Sequence, residues 1–218
     1  MSPDISVVIP ALNEAKSIGP AVASTRNHEG IECIVVDGGS QDNTPRVAQS
    51  SGATVLHSPP GRARQMNAGA KAARGEFLVF LHADTLLPGN FTDHVRRILT
   101  TPGVAAGAFK LEIDGPGLRL RIIESLANWR SRWLKMPYGD QAIFLRKLTF
   151  NQLGGFPELP IMEDFQLVRQ LRRQGQIVIA PAPARTSPRR WQREGSWRVT
   201  LINQAVILGF CLGVDPVR

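Results

Sequence analysis

The sequence predicts an α/β fold, a mostly parallel central sheet flanked by helices, and three observations carry the prediction. Residues 77–81 form an unbroken apolar run opened by Gly75 and rich in strand-forming types, the pattern of a strand buried on both faces. Comparable short runs precede it. Each is followed by a turn-forming loop and a stretch of helical composition, an alternation that implies right-handed crossovers between parallel strands. With 218 residues, 43% of them hydrophobic, the chain can fill one sizeable core, so a single domain over 1–218 is expected. No internal repeat interrupts the series.

In chain order, residues 5–10 (ISVVIP) read as a buried strand halted by Pro10, and the loop ALNE leads to a helical segment over 15–25. ECIVVDGGSQDNT supplies a strand over 33–36, then Asp37, two glycines and polar residues that must turn, with Thr44-Pro45 opening a helix. A third strand spans 53–58. Pro59, Pro60 and Gly61 break the chain there, and 62–73 is Ala-rich with Gln65, Met66 and Lys71, good helix formers despite Gly69. Beyond 77–81, a helix is expected over 88–99 and a strand over 103–113, ended by Gly115, Pro116 and Gly117.

Residues 118–136 set Leu118, Ile122, Leu126, Trp129, Trp133 and Met136 at helical spacing among Arg119, Arg121, Arg130, Arg132 and Lys135. This basic amphipathic helix is expected to lay its apolar stripe on the sheet. A strand over 139–147, a helix over 161–175 stopped by glycine and a strand over 176–181 follow. Residues 184–196 are polar, basic and proline-bearing, a loop. Residues 199–214 are apolar but shorter than the ~20 residues of a membrane-spanning helix, and they carry Asn203 and Gln204. They read as a packed or surface-lying helix that pairs with 118–136 or forms a homodimer contact.

A net charge of +8 and a pI near 10.5 call for an anionic partner: nucleic acid, a membrane surface or phosphorylated small molecules. The arginines are dispersed and a single tyrosine leaves few aromatics for base stacking, which argues against nucleic acid. The opening MSPDISVVIP lacks the basic and long apolar regions of a signal peptide. Cys33 and Cys211 make neither a disulfide framework nor a metal-ligand spacing, so a cytoplasmic protein is expected.

Candidate chemistry gathers at strand ends. Asp37 and Asp84 each follow a strand, and in an open α/β sheet the carboxyl ends of the strands border the ligand crevice. The competing reading is that each caps a turn. Magnesium or manganese takes one or two protein carboxylates and completes its shell with phosphates and water, so Asp84 suits a metal bound together with a diphosphate. His82 offers a polar contact or a soft ligand, though a lone histidine is more often hydrogen-bonded packing. Glu163 and Asp164 open a helix, where they either cap it or supply a general base toward an acceptor hydroxyl. Arg62, Arg64, Arg185, Arg189 and Arg190 are suited to phosphate oxygens. Trp191 offers an apolar face for a sugar or base.

The ordered set VVIPALNE, VVDGGSQDNT, the strand ending in HADT, GGF at 154–156 and IMEDFQL resembles glycosyltransferase family 2, enzymes of the GT-A fold. GRARQMNAGA, FLHADT, PYGDQAIFLRK, GGFPELPIMED and SPRRW resemble its bacterial arsenosugar-biosynthesis or selenodomain-associated subgroup. The resemblance implies a nucleotide-binding half over about 1–112 and an acceptor side over about 113–218. Pro10, Asn13, Glu14 and Asp37 would hold base and ribose, with Arg62 and His82 beside the nucleotide. Asp84 stands where the family binds Mn2+ or Mg2+, and Glu163 or Asp164 where its catalytic base lies. Gln141, Arg190 and Trp191 fall near the diphosphate and acceptor. One departure stands out: the family's Asp-x-Asp is here His82-Ala83-Asp84, which removes the carboxylate of the usual ribose contact.

The expectation is therefore metal-dependent, inverting transfer of a sugar from a nucleotide-diphosphate donor to a hydroxyl acceptor. A catalytically impaired nucleotide-sugar binding protein is the alternative from another class. A sugar-phosphate nucleotidyltransferase would need a glycine-rich basic loop after the first strand, and a dinucleotide dehydrogenase G-x-G-x-x-G; ALNE is neither. A soluble protein is expected, with at most weak, peripheral and salt-sensitive attachment to anionic membranes; the rival reading of 118–136 is a helix lying in an anionic lipid interface.

Overall fold

The computed structural model describes residues 3–26, 28–159, 161–189 and 191. Its elements run β1 (Ile5–Ala11), α1 (Ile18–Ala23), β2 (Ile31–Asp37), α2 (Thr44–Ser50), β3 (Thr54–His57), α3 (Arg62–Ala72), β4 (Phe77–Phe80) and β5 (Thr85–Leu86). After these come α4 (Phe91–Leu99), β6 (Val104–Ile113), α5 (Leu118–Leu134), a 3-10 turn (Gly139–Gln141), β7 (Phe144–Arg146), α6 (Lys147–Gln152), α7 (Glu163–Gln174) and β8 (Gln176–Thr186). One sheet holds the order β3-β2-β1-β4-β7-β6-β8-β5. Only β7 and β5 run against the other six strands. The mostly parallel expectation holds.

Strands without alternation are those buried on both faces. Ile5, Val7 and Ile9 of β1 join Ile18 and Val22 of α1 and Phe91 and Val95 of α4 in one core. Val8, between them in sequence, points the other way. It meets Val36 and Phe80 with Met66 and Ala70 of α3 and Leu167 and Leu171 of α7. A Cβ at Gly69 would run into Val8, so this glycine lets α3 lie close against β1 and β2. Pro10 does not stop β1, which continues to Ala11. Leu81 donates to the Val8 carbonyl and Gly38 to that of Ala11, so the missing N–H of Pro10 faces the β4 side, where the ladder has already ended at Val8.

Two later stretches also differ from expectation. Residues 139–147 are not one strand: Gly139–Gln141 is a 3-10 turn ended by Ala142 at φ 46, and only Phe144–Arg146 pairs, before Lys147 opens α6. The loop expected from 184 begins later, because β8 stays paired through Thr186 with β6 on one side and β5 on the other. The expected helix over 199–214 and Cys211 lie outside the described residues.

The largest correction concerns α5. Leu118, Ile122, Leu126, Trp129 and Trp133 do not pack on the sheet but are exposed, and the helix buries Leu120, Ile123 and Ala127 instead. The edge of β6 explains the choice. β7 pairs with β6 only at Ala106 and Gly107, so Phe109, Leu111 and Ile113 present backbone groups on that side with no strand to receive them. Side chains stand in for the strand: Asn128 bonds both the N–H and C=O of Leu111 (2.8 and 2.9 Å), Glu124 accepts from Ile113 N–H, and Gln141 donates to Phe109 C=O at 2.9 Å. Satisfying a buried strand edge outranks burying the wider apolar stripe. Among the described residues no helix is long and apolar enough to cross a membrane.

Candidate active site

The site is built from three loops at the carboxyl edge of the sheet. Asp37 ends β2 with its side chain 2% exposed. Its Oδ2 accepts the N–H groups of Gly39 and Ser40 at 3.0 Å each, and His57 Nδ1 stands 3.6 Å away. This is a turn cap, yet Oδ1 is buried without a hydrogen-bond partner among the described residues. An orphaned acceptor at a strand end is a place for a ligand's N–H or O–H. Asp37 thus caps its turn through one oxygen and leaves the other without a hydrogen-bond partner among the described residues.

Gln65 fixes where that carboxylate sits. Buried on α3, its Nε2 donates to the carbonyls of Ala11 and Val36 at 2.8 Å each, pinning the ends of β1 and β2 together. In sequence it counted only as a helix former; the available signal was a polar residue one turn before Gly69, the glycine at which α3 meets β1 and β2. Asn13, at φ 55, stitches the first two loops: its Oδ1 accepts Gln41 N–H and its own N–H donates to Ser40 Oγ, both at 2.9 Å. Glu14 N–H donates to Thr44 Oγ1 at 2.7 Å. Asn13, Glu14 and Asp37 therefore share one loop cluster, and Pro10 lies beside it within β1, paired with Val36.

Asp84 follows β4 as expected. Its Oδ2 lies 3.4 Å from Arg189 Nη2, and the same nitrogen is 2.7 Å from Glu14 Oε2. Burial foremost, then the charge of Glu14, lifts the Asp84 carboxyl above its ordinary value, while Arg189 pulls it back. Ser187 N–H donates to the Asp84 carbonyl at 3.0 Å, so the chain beyond β8 closes over the strand end. Of the other candidate arginines, Arg64 pairs with Glu158 and Arg185 with Glu112, each at 2.9 Å on the surface. Arg190 lies outside the described residues.

A narrow cleft beside Asp84's strand brings together Arg62, His82, Gly139, Glu163 and Asp164, with apolar walls from Met66, Phe80, Ile143 and Phe156. A Cβ on Gly139 would stand 2.7 Å from His82 Nε2 and 3.3 Å from Asp164 Oδ2, so only glycine lets these groups converge. Asp164 Oδ2 accepts Gly139 N–H at 2.7 Å, and Oδ1 accepts Phe165 N–H at 2.7 Å. Glu163 is 3% exposed, with Oε1 3.6 Å from Arg62 Nη1 and no hydrogen bond to that oxygen among the described residues. Burial, then the charge of Asp164, raises its carboxyl, against Arg62.

Two expected site residues do other work. Gln141 is fully buried; Ser131 Oγ donates to its Oε1 at 2.6 Å while its Nε2 holds the β6 edge. It meets no solvent and does not line the cleft. Trp191 is half-buried against the cluster of Leu111, Ile113, Leu120, Ile123 and Ala127, because the chain beyond β8 turns toward α5. Its ring packs on that cluster rather than standing open on a loop.

Carboxylates at a strand-end crevice, one beside an arginine and one in a cleft, define a class of protein. Residues 6–156 match the model of glycosyl transferase family 2, and the chain belongs to that family. It is 29% identical over 181 residues to the succinoglycan biosynthesis protein ExoO of Rhizobium meliloti (strain 1021), covering 76% of this chain and 50% of that protein. An uncharacterized glycosyltransferase of Rickettsia felis is 32% identical over 185 residues, covering 76% and 31% respectively. The chain thus spans half or less of the length of these relatives. Among solved structures, the mannosyltransferase PcManGT from Pyrobaculum calidifontis, in complex with GDP-Man and Mn2+, superposes with a TM-score of 0.68 at 19% identity over 85% of this chain and 57% of that one. Glucosyl-3-phosphoglycerate synthase from Mycobacterium tuberculosis, in complex with Mn2+, UDP and glucosyl-3-phosphoglycerate, gives a TM-score of 0.60 at 24% identity over 83% of this chain and 71% of that one. The fold is GT-A.

Proposed function

We propose that this protein transfers a sugar from a nucleotide-diphosphate donor to a hydroxyl acceptor, with inversion at the transferred carbon. One observation carries the reading: Asp164 lines a cleft shared with His82, next to the β4 strand end that carries Asp84, which Arg189 links to Glu14 on the loop after β1. The Asp37 cluster offers its orphaned Oδ1 to the nucleotide, and Arg62 and Arg189 supply fixed positive charge for phosphate oxygens.

Asp164 is the better general base. Both carboxylates line the cleft, but Asp164 is oriented there by Gly139 N–H, whereas Glu163 is 3% exposed and held against Arg62. Asp164 takes the acceptor proton as the acceptor oxygen attacks.

The donor set also bears on a metal. Among the described residues no group of three or more His, Cys, Asp or Glu side chains could cage an ion. A lone strand-end carboxylate fits a hard divalent ion that completes its shell with the donor's phosphates. Asp84 would hold Mn2+ or Mg2+, which when bound neutralises charge on the leaving diphosphate. The Mn2+ in two structural neighbours supports this assignment. The motifs that resemble the arsenosugar-biosynthesis or selenodomain-associated subgroup favour that branch of the family.

The test is release of free nucleoside diphosphate from a panel of nucleotide sugars with Mn2+ and with Mg2+. One donor class should turn over, and Asp84→Ala should abolish it. Turnover of none, or of all equally with the variant, contradicts the reading.

A further inference from the structure

The outer face of α5 takes no part in the cleft or the core. Leu118, Ile122, Leu126, Trp129 and Trp133 are all exposed, Trp129 by 56% and Trp133 by 67%. At 3.6 residues per turn they fall within about 80° of arc, opposite the buried Leu120, Ile123, Ala127 and Ser131. Scattered surface hydrophobics need no explanation; five in one row do. Arg119 flanks the row on one side and Arg132 on the other, both exposed, as is Lys135. Arg130 and Arg121 lie along the same two edges but turn inward, Arg130 to the Met136 carbonyl and the Tyr138 ring, Arg121 to the carbonyls of Ile113 and Gly115. The helix has one acid, Glu124, which is buried and pairs with Arg121 at 3.0 Å. The outer face is therefore apolar along its middle and positive along both edges.

Beside it, Trp129, Trp133, Lys110, Arg132 and Lys135 border a cavity of about 540 Å³ between α5 and the start of β8. That is room for a phospholipid headgroup, with cations at its rim.

We propose that α5 is the face on which this protein lies against an anionic phospholipid membrane. The stripe enters the acyl boundary, Trp129 and Trp133 sit at headgroup depth, and the flanking cations meet lipid phosphates. Charge complementarity selects this occupant. A second copy packed symmetrically on the same face would bring equal rows of arginine together without an acid between them. A bilayer carrying acidic lipid satisfies the apolar row and both basic edges at once. The docked helix leads directly into the turn whose Gly139 N–H holds Asp164, so the cleft wall stands next to the bound surface.

Flotation of the full chain with phosphatidylcholine vesicles, with and without phosphatidylglycerol, tests the proposal. The protein should float only with phosphatidylglycerol, less so at high salt, and its tryptophan emission should shift to the blue. Ile122→Glu with Leu126→Glu, and separately Arg119→Glu with Arg132→Glu, should each lower the floated fraction about tenfold or more at unchanged Tm. These outer-face substitutions leave the cleft intact, so donor turnover in solution reports separately on the proposed transfer. Failure to float with acidic vesicles overturns the proposal, as does flotation unaffected by both double variants. A wild-type dimer in solution that Ile122→Glu with Leu126→Glu splits would also overturn it and assign the face to a second copy.

Discussion

Arg189 stands between Glu14 and Asp84, its Nη2 2.7 Å from one carboxylate and 3.4 Å from the other. The three residues come from the loop after β1, the turn after β4 and the chain beyond β8, so one guanidinium ties distant segments at the carboxyl edge of the sheet. It already supplies positive charge at Asp84. Removing it leaves two carboxylates facing the same space, which favours any other cation there. Arg189→Ala should therefore bind Mn2+ about tenfold more tightly than wild type in the absence of nucleotide, measured by electron paramagnetic resonance of the free ion. Equal or weaker binding contradicts a divalent ion at Asp84.

The raised carboxyl of Asp84 makes a prediction about pH. The folded chain holds this proton more tightly than the unfolded chain, whose ordinary value is 3.8. The stability so contributed is fully present below that value and is lost as pH rises through the folded one. At neutral pH the ionised carboxylate is a net cost to the fold. Asp84→Asn should show a higher Tm than wild type at pH 7, with the gap closing as pH falls toward 3.8, while donor turnover drops at least about a hundredfold. A lower Tm at pH 7 would mean that pairing with Arg189 outweighs burial.

Gln65 is expected to matter for stability as well as binding. In Gln65→Leu the carbonyls of Ala11 and Val36 lose a buried donor that leucine cannot replace, a change of about 2 kcal/mol. Urea denaturation measures it. Nucleotide affinity should fall in parallel, because the Asp37 turn hangs on the same two strand ends. A loss below about 0.5 kcal/mol, within the range of ordinary surface substitutions, would show that the loops hold themselves.

The ranking of the two helix-opening carboxylates can be read from donor turnover. Asp164→Asn keeps an oxygen for Gly139 N–H but cannot take a proton, so turnover should fall at least about a hundredfold. Glu163→Gln should cost less than about tenfold, since that side chain, although it lines the cleft, is nearly buried and held against Arg62. The reverse order would make Glu163 the base and Asp164 the cap.

Much of this architecture was legible because burial on both faces leaves a continuous apolar run, as at 77–81 and in β1. The strand ends followed, and with them Asp37 and Asp84. The orientation of α5 was not legible. Its sequence carries two apolar stripes, and the narrower one wins because Asn128 and Glu124 must reach a strand edge that is open only once β7 has paired and stopped. Gln141 was misplaced for the same non-local reason. Residues 139–147 contain the continuous apolar run 142–145 of a buried strand, but Ala142 at positive φ breaks the segment, and nothing in its own side chain announces that. Arg189 appeared in sequence as one of several candidate arginines; its special position depends on β8 extending to Thr186.

The most direct test of the account is a thermal-shift panel of nucleoside diphosphates on the wild type, Asp84→Ala and Asp164→Asn, each with and without Mn2+. A ligand at about a hundred times its Kd stabilises the fold by about 2.7 kcal/mol, a shift of several degrees for a chain of this size. The account predicts that at least one nucleoside diphosphate raises the wild-type Tm in a Mn2+-dependent way, that Asp84→Ala abolishes the Mn2+ dependence and that Asp164→Asn retains the full shift. No shift with any nucleoside diphosphate, or an Asp84→Ala response identical to wild type, would contradict it.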